Sequence, residues 1–200
     1  MTEVVLASNN AGKLKEFSAI LAQAGISMVP QVQLGVTEAE EPYTTFVENA
    51  LGKARHASRV TGLPALADDS GLCVDALGGA PGVLSARYAS LAGGEKSDDA
   101  NNRHLLAQLA SAQDRAASYV AVLVYVDSAD DPRPIIAEGT WDGVIVDQAR
   151  GGNGFGYDPH FYLPDLGKTV AELPPDQKNT LSHRAQALNA LLQALRSRRR

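Results

Sequence analysis

The chain has 200 residues, 44% of them apolar and 20% charged, with a formal net charge of −5. That is enough for one domain with a real core, and the acidic balance argues against a broad nucleic-acid surface. The longest apolar run, Val120 to Val126, is far short of a membrane span, the N-terminus lacks the pattern of a signal peptide, and Cys73 is the only cysteine.

A single domain over residues 1–200 in the cytoplasm is therefore expected, without a disulfide framework or a cysteine-based zinc site. Val4 to Ala7 reads as a first buried strand. Leu14, Phe17, Ile20, Leu21 and Ala24 then share one helical face, which Gly25 stops. Ile26 to Val29 suits a second strand. Thr45, with Glu48 three positions on, forms a capping-box pattern for a helix running to about Thr61. Ala65–Ala67 and Leu72–Leu77 read as strands on either side of an Asp68-Asp69-Ser70-Gly71 turn.

A helix carrying Leu105, Leu106 and Leu109 is expected from about Asp98. Two long β-rich stretches, ASYVAVLVYVD and PIIAEGTWDGVIVD, flank the turn residues Asp130 to Pro134 and predict an antiparallel hairpin. Leu181, Ala185, Leu188, Leu192 and Leu195 define a closing amphipathic helix, and the arginines after it suit its C-terminal dipole and solvent. The fold class expected is mixed α/β, with a long central β-sheet flanked by helices.

Four stretches carry chemistry. Ser8-Asn9-Asn10-Ala11-Gly12-Lys13 joins strand to helix without the spacing of a Walker A loop. It still has the parts of a phosphate cradle: free N–H groups at a helix start, a glycine and a lysine. The plain alternative is a capped turn. Asp68 and Asp69 follow a buried strand, where two carboxylates are costly unless something neutralises them. A hard cation such as Mg²⁺ would do so, and Glu38, Glu40 and Glu41 form a second acidic cluster; an Asp-rich turn is the alternative.

Residues 151 to 164, GGNGFGYDPHFYLP, follow a strand but open no helix, which weakens a dinucleotide-binding reading. Glycine-flanked Phe155 and Tyr157 suit either a loop that stacks on a purine or a plug at a core edge. Lys178, upstream of the last helix, and His183-Arg184, near its start, put positive groups where the helix dipole disfavours them. That suggests an external acceptor, with a solvated face as the alternative. His56, His104 and His160 have no metal-like spacing, and Cys73 reads as a small core residue.

Taken in order, ASNNAGKLKE, TTFVENALGKARHA, ALADDSGLCVDALGGAPGVLSARY, GGNGFGYDPHF and KNTLSHRAQAL resemble the inosine/xanthosine triphosphate pyrophosphatase family over nearly the whole chain. The resemblance implies Mg²⁺-dependent hydrolysis of non-standard purine nucleoside triphosphates to monophosphate and pyrophosphate. It also implies two lobes around a cleft, usually as a homodimer. Residues Ser8, Asn9, Asn10, Ala11, Gly12 and Lys13 would hold the triphosphate. Asp69 would be general base and metal ligand, with Asp68 in support and Ser70 beside the substrate. Phe155, Gly156, Tyr157 and Asp158 would receive the nucleoside, and Lys178, His183 and Arg184 would complete the site. Glu41 matches the second metal-reaching position, with Glu40 as a competitor. The chain departs from the family there, reading Glu41-Pro42-Tyr43 where a glycine often stands second after the acid. A related pyrophosphatase for other modified nucleotides and a non-catalytic nucleotide-binding regulator are the competing readings.

Overall fold

Strand β1 (Thr2–Leu6) ends in three fully buried apolar residues and hands over within a few residues to α1 (Ala11–Leu21). A computed structural model of the protein describes residues 2–9 and 11–198, apart from the side chains of residues 11–13 and 16. After α1 a 3-10 turn stops at Gly25, whose φ of +70° favours glycine. Strand β2 (Ile26–Pro30) then returns parallel to β1, with Val4 opposite Met28. Helix α2 (Phe46–Thr61) starts as expected: Thr45 accepts the N–H of Glu48, and Gly62 closes the far end in the left-handed conformation.

The sequence reading divides 65–77 into two strands, and the structure corrects it. Strand β3 (Ala65–Val74) is continuous through Asp68-Asp69-Ser70-Gly71, and a 3-10 turn takes up Asp75–Leu77. The stretch is buried along most of its length, so sheet pairing overrides the local turn preference of Asp, Ser and Gly. Helix α3 (Tyr88–Leu91) and α4 (Asp98–Gln108) follow, the latter capped by Ser97. Strands β4 (Ala116–Val126) and β5 (Ile135–Ile145) are joined by residues 127–134, too few for a parallel crossover, as the hairpin reading requires.

Two short strands extend the sheet, β6 (Phe161–Leu163) antiparallel to β5 and β7 (Lys168–Thr169) antiparallel to β6. Helix α5 (Pro175–Leu181) precedes α6 (His183–Arg198). Lys178 therefore lies within a short helix started by Pro175, which the sequence reading passes over.

The chain divides into two compact units. One holds the described residues up to Asp69, Ala121–Gly139 and those from Gln186 onward, with strand order β2-β1-β3-β4-β5. Phe17 and Leu21 of α1 pack there with Val4, Leu6, Leu123 and the Leu188, Leu191 and Leu195 face of α6. The other holds Ser70–Val120 and Thr140–Ala185, with order β3-β4-β5-β6-β7 and a core around Leu72, Leu105, Tyr119, Phe161 and Leu173. No helix among the described residues is long and apolar enough to cross a membrane.

Candidate active site

In the first unit, three buried alanines of α2 (Ala50, Ala54 and Ala57) turn one face of the helix inward. Lys53 lies on that same stripe at helical spacing, so its ammonium is carried toward the core rather than into solvent. It donates to Glu41 Oε1 at 2.7 Å and to Asp69 Oδ1 at 3.3 Å, bridging the two carboxylates that the family resemblance implies as metal ligands. Its side chain is only 14% exposed. Asn49, one turn earlier, is buried and uses its amide to hold Tyr43 through both backbone groups, which fixes the segment that follows Glu41.

Burial pushes the Asp69 carboxyl above its ordinary value; Lys53 and, more weakly, the Asn49 side chain pull it back, and Glu41 adds to the rise. Burial alone would lower Lys53, but Asp69, with Glu41 and Asp68, outweighs it and keeps the ammonium charged. Asp69 Oδ2 is buried and accepts no hydrogen bond among the described residues. A carboxylate oxygen left in that state is costly. It is the atom a hard cation would relieve. No cluster of three or more acidic, histidine or cysteine side chains able to hold a metal occurs among the described residues. Mg²⁺ is commonly held by one or two carboxylates with substrate phosphates, so Asp69 and Glu41 suit it. Glu40 instead is exposed and lines a groove with Tyr43, Arg55 and Arg59.

Asp68 and Asp69 are consecutive on an extended strand and so point to opposite faces. Asn9 donates to Glu38 at 2.9 Å and accepts from Gln31 at 3.2 Å, tying the β1–α1 corner to the acidic segment. Ser8 is half-buried beside it. Asn10 and the side chains of Ala11 and Lys13 lie outside the described residues, while the backbone of Ala11, Gly12 and Lys13 forms the first turn of α1.

In the second unit, the loop before β6 is built around Asp158. This buried carboxylate accepts from Tyr119 Oη at 3.0 Å, from the Phe155 N–H at 3.0 Å and from the Lys178 ammonium. Gly154, at φ +78°, leaves no room for a side chain, because a Cβ there would collide with Asp158 Oδ2. Tyr157 is buried and donates to the Ser85 carbonyl at 2.7 Å, so it scaffolds the loop. Burial raises both tyrosine hydroxyls, Tyr119 well above the usual range, so both remain protonated donors.

Phe155 is the ring left outside, 64% exposed, with the Lys178 ammonium 4.6 Å from its centroid. His183, the first residue of α6, stacks on Tyr119 at 4.9 Å between centroids and an interplanar angle of 11°. Ser182 caps that helix by accepting from the Ala185 N–H, and Arg184 follows in the first turn. Ser70 is half-buried at the start of this unit's part of β3.

Each unit thus gathers its own share of the expected residues: Asn9, Glu41 and Asp69 in one, Phe155, Asp158, Lys178 and His183 in the other. The sequence reading misses Lys53, Tyr119 and Asn49. A lysine on the alanine stripe of α2 is the signal for the first. Tyr119 and Asn49 leave no comparable trace, since each reads as an ordinary strand or helix residue.

The chain is 66% identical over 196 residues to a dITP/XTP pyrophosphatase of Ralstonia nicotianae, covering 98% of both chains. It is 65% identical to one of Burkholderia pseudomallei, covering 97% of this chain and 93% of that one. Among solved structures, a HAM1 protein from Coxiella burnetii superposes with a TM-score of 0.93 at 48% identity, covering 98% of this chain and 100% of that one. A nucleoside-triphosphatase / dITP/XTP pyrophosphatase from Mycobacterium abscessus does so at 0.80 and 42%, covering 97% and 100%. The Ham1 family model matches residues 4–194, and the chain belongs to that family.

Proposed function

We propose that this chain hydrolyses non-standard purine nucleoside triphosphates, those of hypoxanthine and xanthine, to the monophosphate and pyrophosphate. The observation that carries the reading is the buried Asp69 carboxylate, bridged to Glu41 by Lys53 and with one oxygen that accepts no hydrogen bond among the described residues. The names of the relatives, dITP/XTP pyrophosphatases, support the substrate class.

Water attacks the α-phosphorus, the bond from that phosphorus to the bridging oxygen breaks, and pyrophosphate leaves with the electron pair. Asp69 takes the proton of the attacking water, a task to which its raised pKa is suited. Lys53 holds Asp69 and Glu41 in place and offsets their charge as a polyanion approaches. The start of α1 offers its first N–H groups to phosphate, and on the family resemblance Ser8 and Lys13 join them. On the family resemblance, Asp68 supports Asp69 from the adjacent position of β3. Asp69 and Glu41 would hold Mg²⁺, which when bound supplies Lewis-acid stabilisation of phosphate charge.

Phe155 offers its exposed ring to the base, and on the family resemblance Ser70, Gly156, Lys178, His183 and Arg184 complete the subsite. Donors from His183 and Arg184 suit the oxygen at purine position 6 and leave an adenine amino group unmatched. A cytoplasmic homodimer belongs to the same reading, on the family resemblance alone.

Product analysis with inosine triphosphate and Mg²⁺ tests the proposal. Equimolar inosine monophosphate and pyrophosphate are expected, with ATP turned over far more slowly. Orthophosphate release, faster turnover of modified pyrimidine triphosphates, or binding without turnover would each overturn it.

A further inference from the structure

Phe155 combines a highly exposed ring with a backbone that has almost no freedom. Its own N–H is taken by Asp158. Both backbone groups of the next residue are held from α4: the Gly156 N–H donates to Asp98 Oδ2 at 2.7 Å, and the Gly156 carbonyl accepts from Asn102 Nδ2 at 2.8 Å. Asp98 and Asn102 are one helical turn apart, so both side chains leave α4 on the same face. Gly156 itself sits at φ +62°, a conformation other residues resist.

Helix α4 is in turn fastened to the segment before it. Asn101 Oδ1 accepts the Ala89 N–H at 2.9 Å, and its amide donates to the Ala86 carbonyl at 3.3 Å. The second observation is a cost. Asn102 is buried, and its Oδ1 accepts no hydrogen bond among the described residues. An apolar residue of that size would avoid the penalty. The amide is retained for its other end, the one on Gly156.

We propose that Asp98 and Asn102 are positioning residues of the base subsite, clamping both backbone groups of Gly156 so that the Phe155 ring is set before a nucleobase arrives. The inference rests on the reading of Phe155 as a stacking platform. An exposed aromatic on a free loop would have to be ordered at each binding event, and the clamp removes that entropy loss in advance. The clamp acts on binding of the base and not on the bond that breaks, so its signature is in KM.

Asp98→Ala, Asp98→Asn, Phe155→Ala and the double variant Asp98→Ala/Phe155→Ala are compared with the parent by steady-state kinetics on inosine triphosphate and by thermal unfolding. Asp98→Ala is expected to raise KM about tenfold with kcat changed by less than about twofold, the size of effect one charge-assisted hydrogen bond supplies. Asp98→Asn keeps an acceptor oxygen and should recover most of the loss. In the Phe155→Ala background, Asp98→Ala should add nothing, since the ring it positions is gone. If Phe155→Ala leaves KM unchanged, the stacking reading fails and the clamp's function with it. If Phe155→Ala raises KM while Asp98→Ala does not, or if the two effects simply add, the clamp alone is overturned.

Discussion

Lys53 reaches across 16 residues of sequence to place its ammonium 3.3 Å from Asp69 Oδ1. The pair sits where Asp69 is pushed up by burial and restrained by that ammonium, so the lysine sets the pH at which the carboxylate is ionised. Lys53→Met removes the restraint, and the Asp69 pKa rises further. The acid limb of the kcat/KM–pH profile should move to higher pH, with turnover at neutral pH lower by about 10- to 100-fold. A profile that falls in height without moving would remove Lys53 from the control of Asp69.

Asp69→Asn should separate stability from activity. The folded-state carboxyl titrates above its unfolded value, so the native state keeps its proton longer as pH rises. Its stabilising effect is complete below the ordinary carboxyl value of 3.8 and is lost as pH rises through the folded pKa. The neutral amide escapes that loss. It also removes the main partner of the buried Lys53 ammonium, which opposes that gain, so the readout is the pH dependence. Between acid and neutral pH, without divalent cation, the melting temperature of the variant should fall about 2–4 °C less than that of the parent, as a change on the order of 1 kcal/mol gives in a chain of this size. Turnover should be abolished. Added Mg²⁺ should raise the melting temperature of the parent and leave the variant unmoved, by linkage to the folded state.

Tyr119 supports two neighbours through different parts of one side chain: its hydroxyl donates to Asp158 and its ring stacks on His183. Tyr119→Phe removes only the first and should cost about 1–3 kcal/mol, the range for a buried hydrogen bond to a charged group. Tyr119→Leu removes both and should also raise KM for inosine triphosphate. Urea unfolding and steady-state kinetics measure the two effects separately. Equal KM values for the two variants would deny the ring any part in placing His183.

Gly154→Ala introduces a Cβ against Asp158 Oδ2 at a φ of +78°. The strain and the displaced carboxylate together should destabilise the protein by about 1–3 kcal/mol. The Asp158–Lys178 pair is displaced with it, so preference for inosine over adenosine triphosphate should narrow. Gly152 stands close by with open space beside its Cα, and Gly152→Ala is the matched control, expected within about 0.5 kcal/mol of the parent.

Capping chemistry and apolar spacing made α2, α4 and the β4–β5 hairpin legible, because each is specified by residues within a few positions of one another. Strand β3 was harder. Asp-Asp-Ser-Gly carries a strong local turn signal, and only long-range pairing with β1 and β4 keeps it extended. Pairing of that kind leaves no mark inside a short window of sequence. The candidate site shows the same division. Asp69, Phe155 and His183 stand in recognisable motifs, whereas Lys53 looks like any helix lysine until the alanines around it are seen to face inward. Tyr157 misleads in the other direction: an aromatic beside an exposed Phe155 suggests a second stacking ring, and its hydroxyl is instead spent on Ser85.

The unbroken course of β3 limits how this segment tolerates indels. Side chains alternate along an extended strand, so a single-residue insertion or deletion just ahead of Asp69 would invert the whole downstream set. Asp69 would turn to the face that Asp68 holds, and the carboxylate meant for Lys53 would point away from it. Only paired changes in length preserve the parity, so drift in chain length is expected in the loops bordering this strand and not within it.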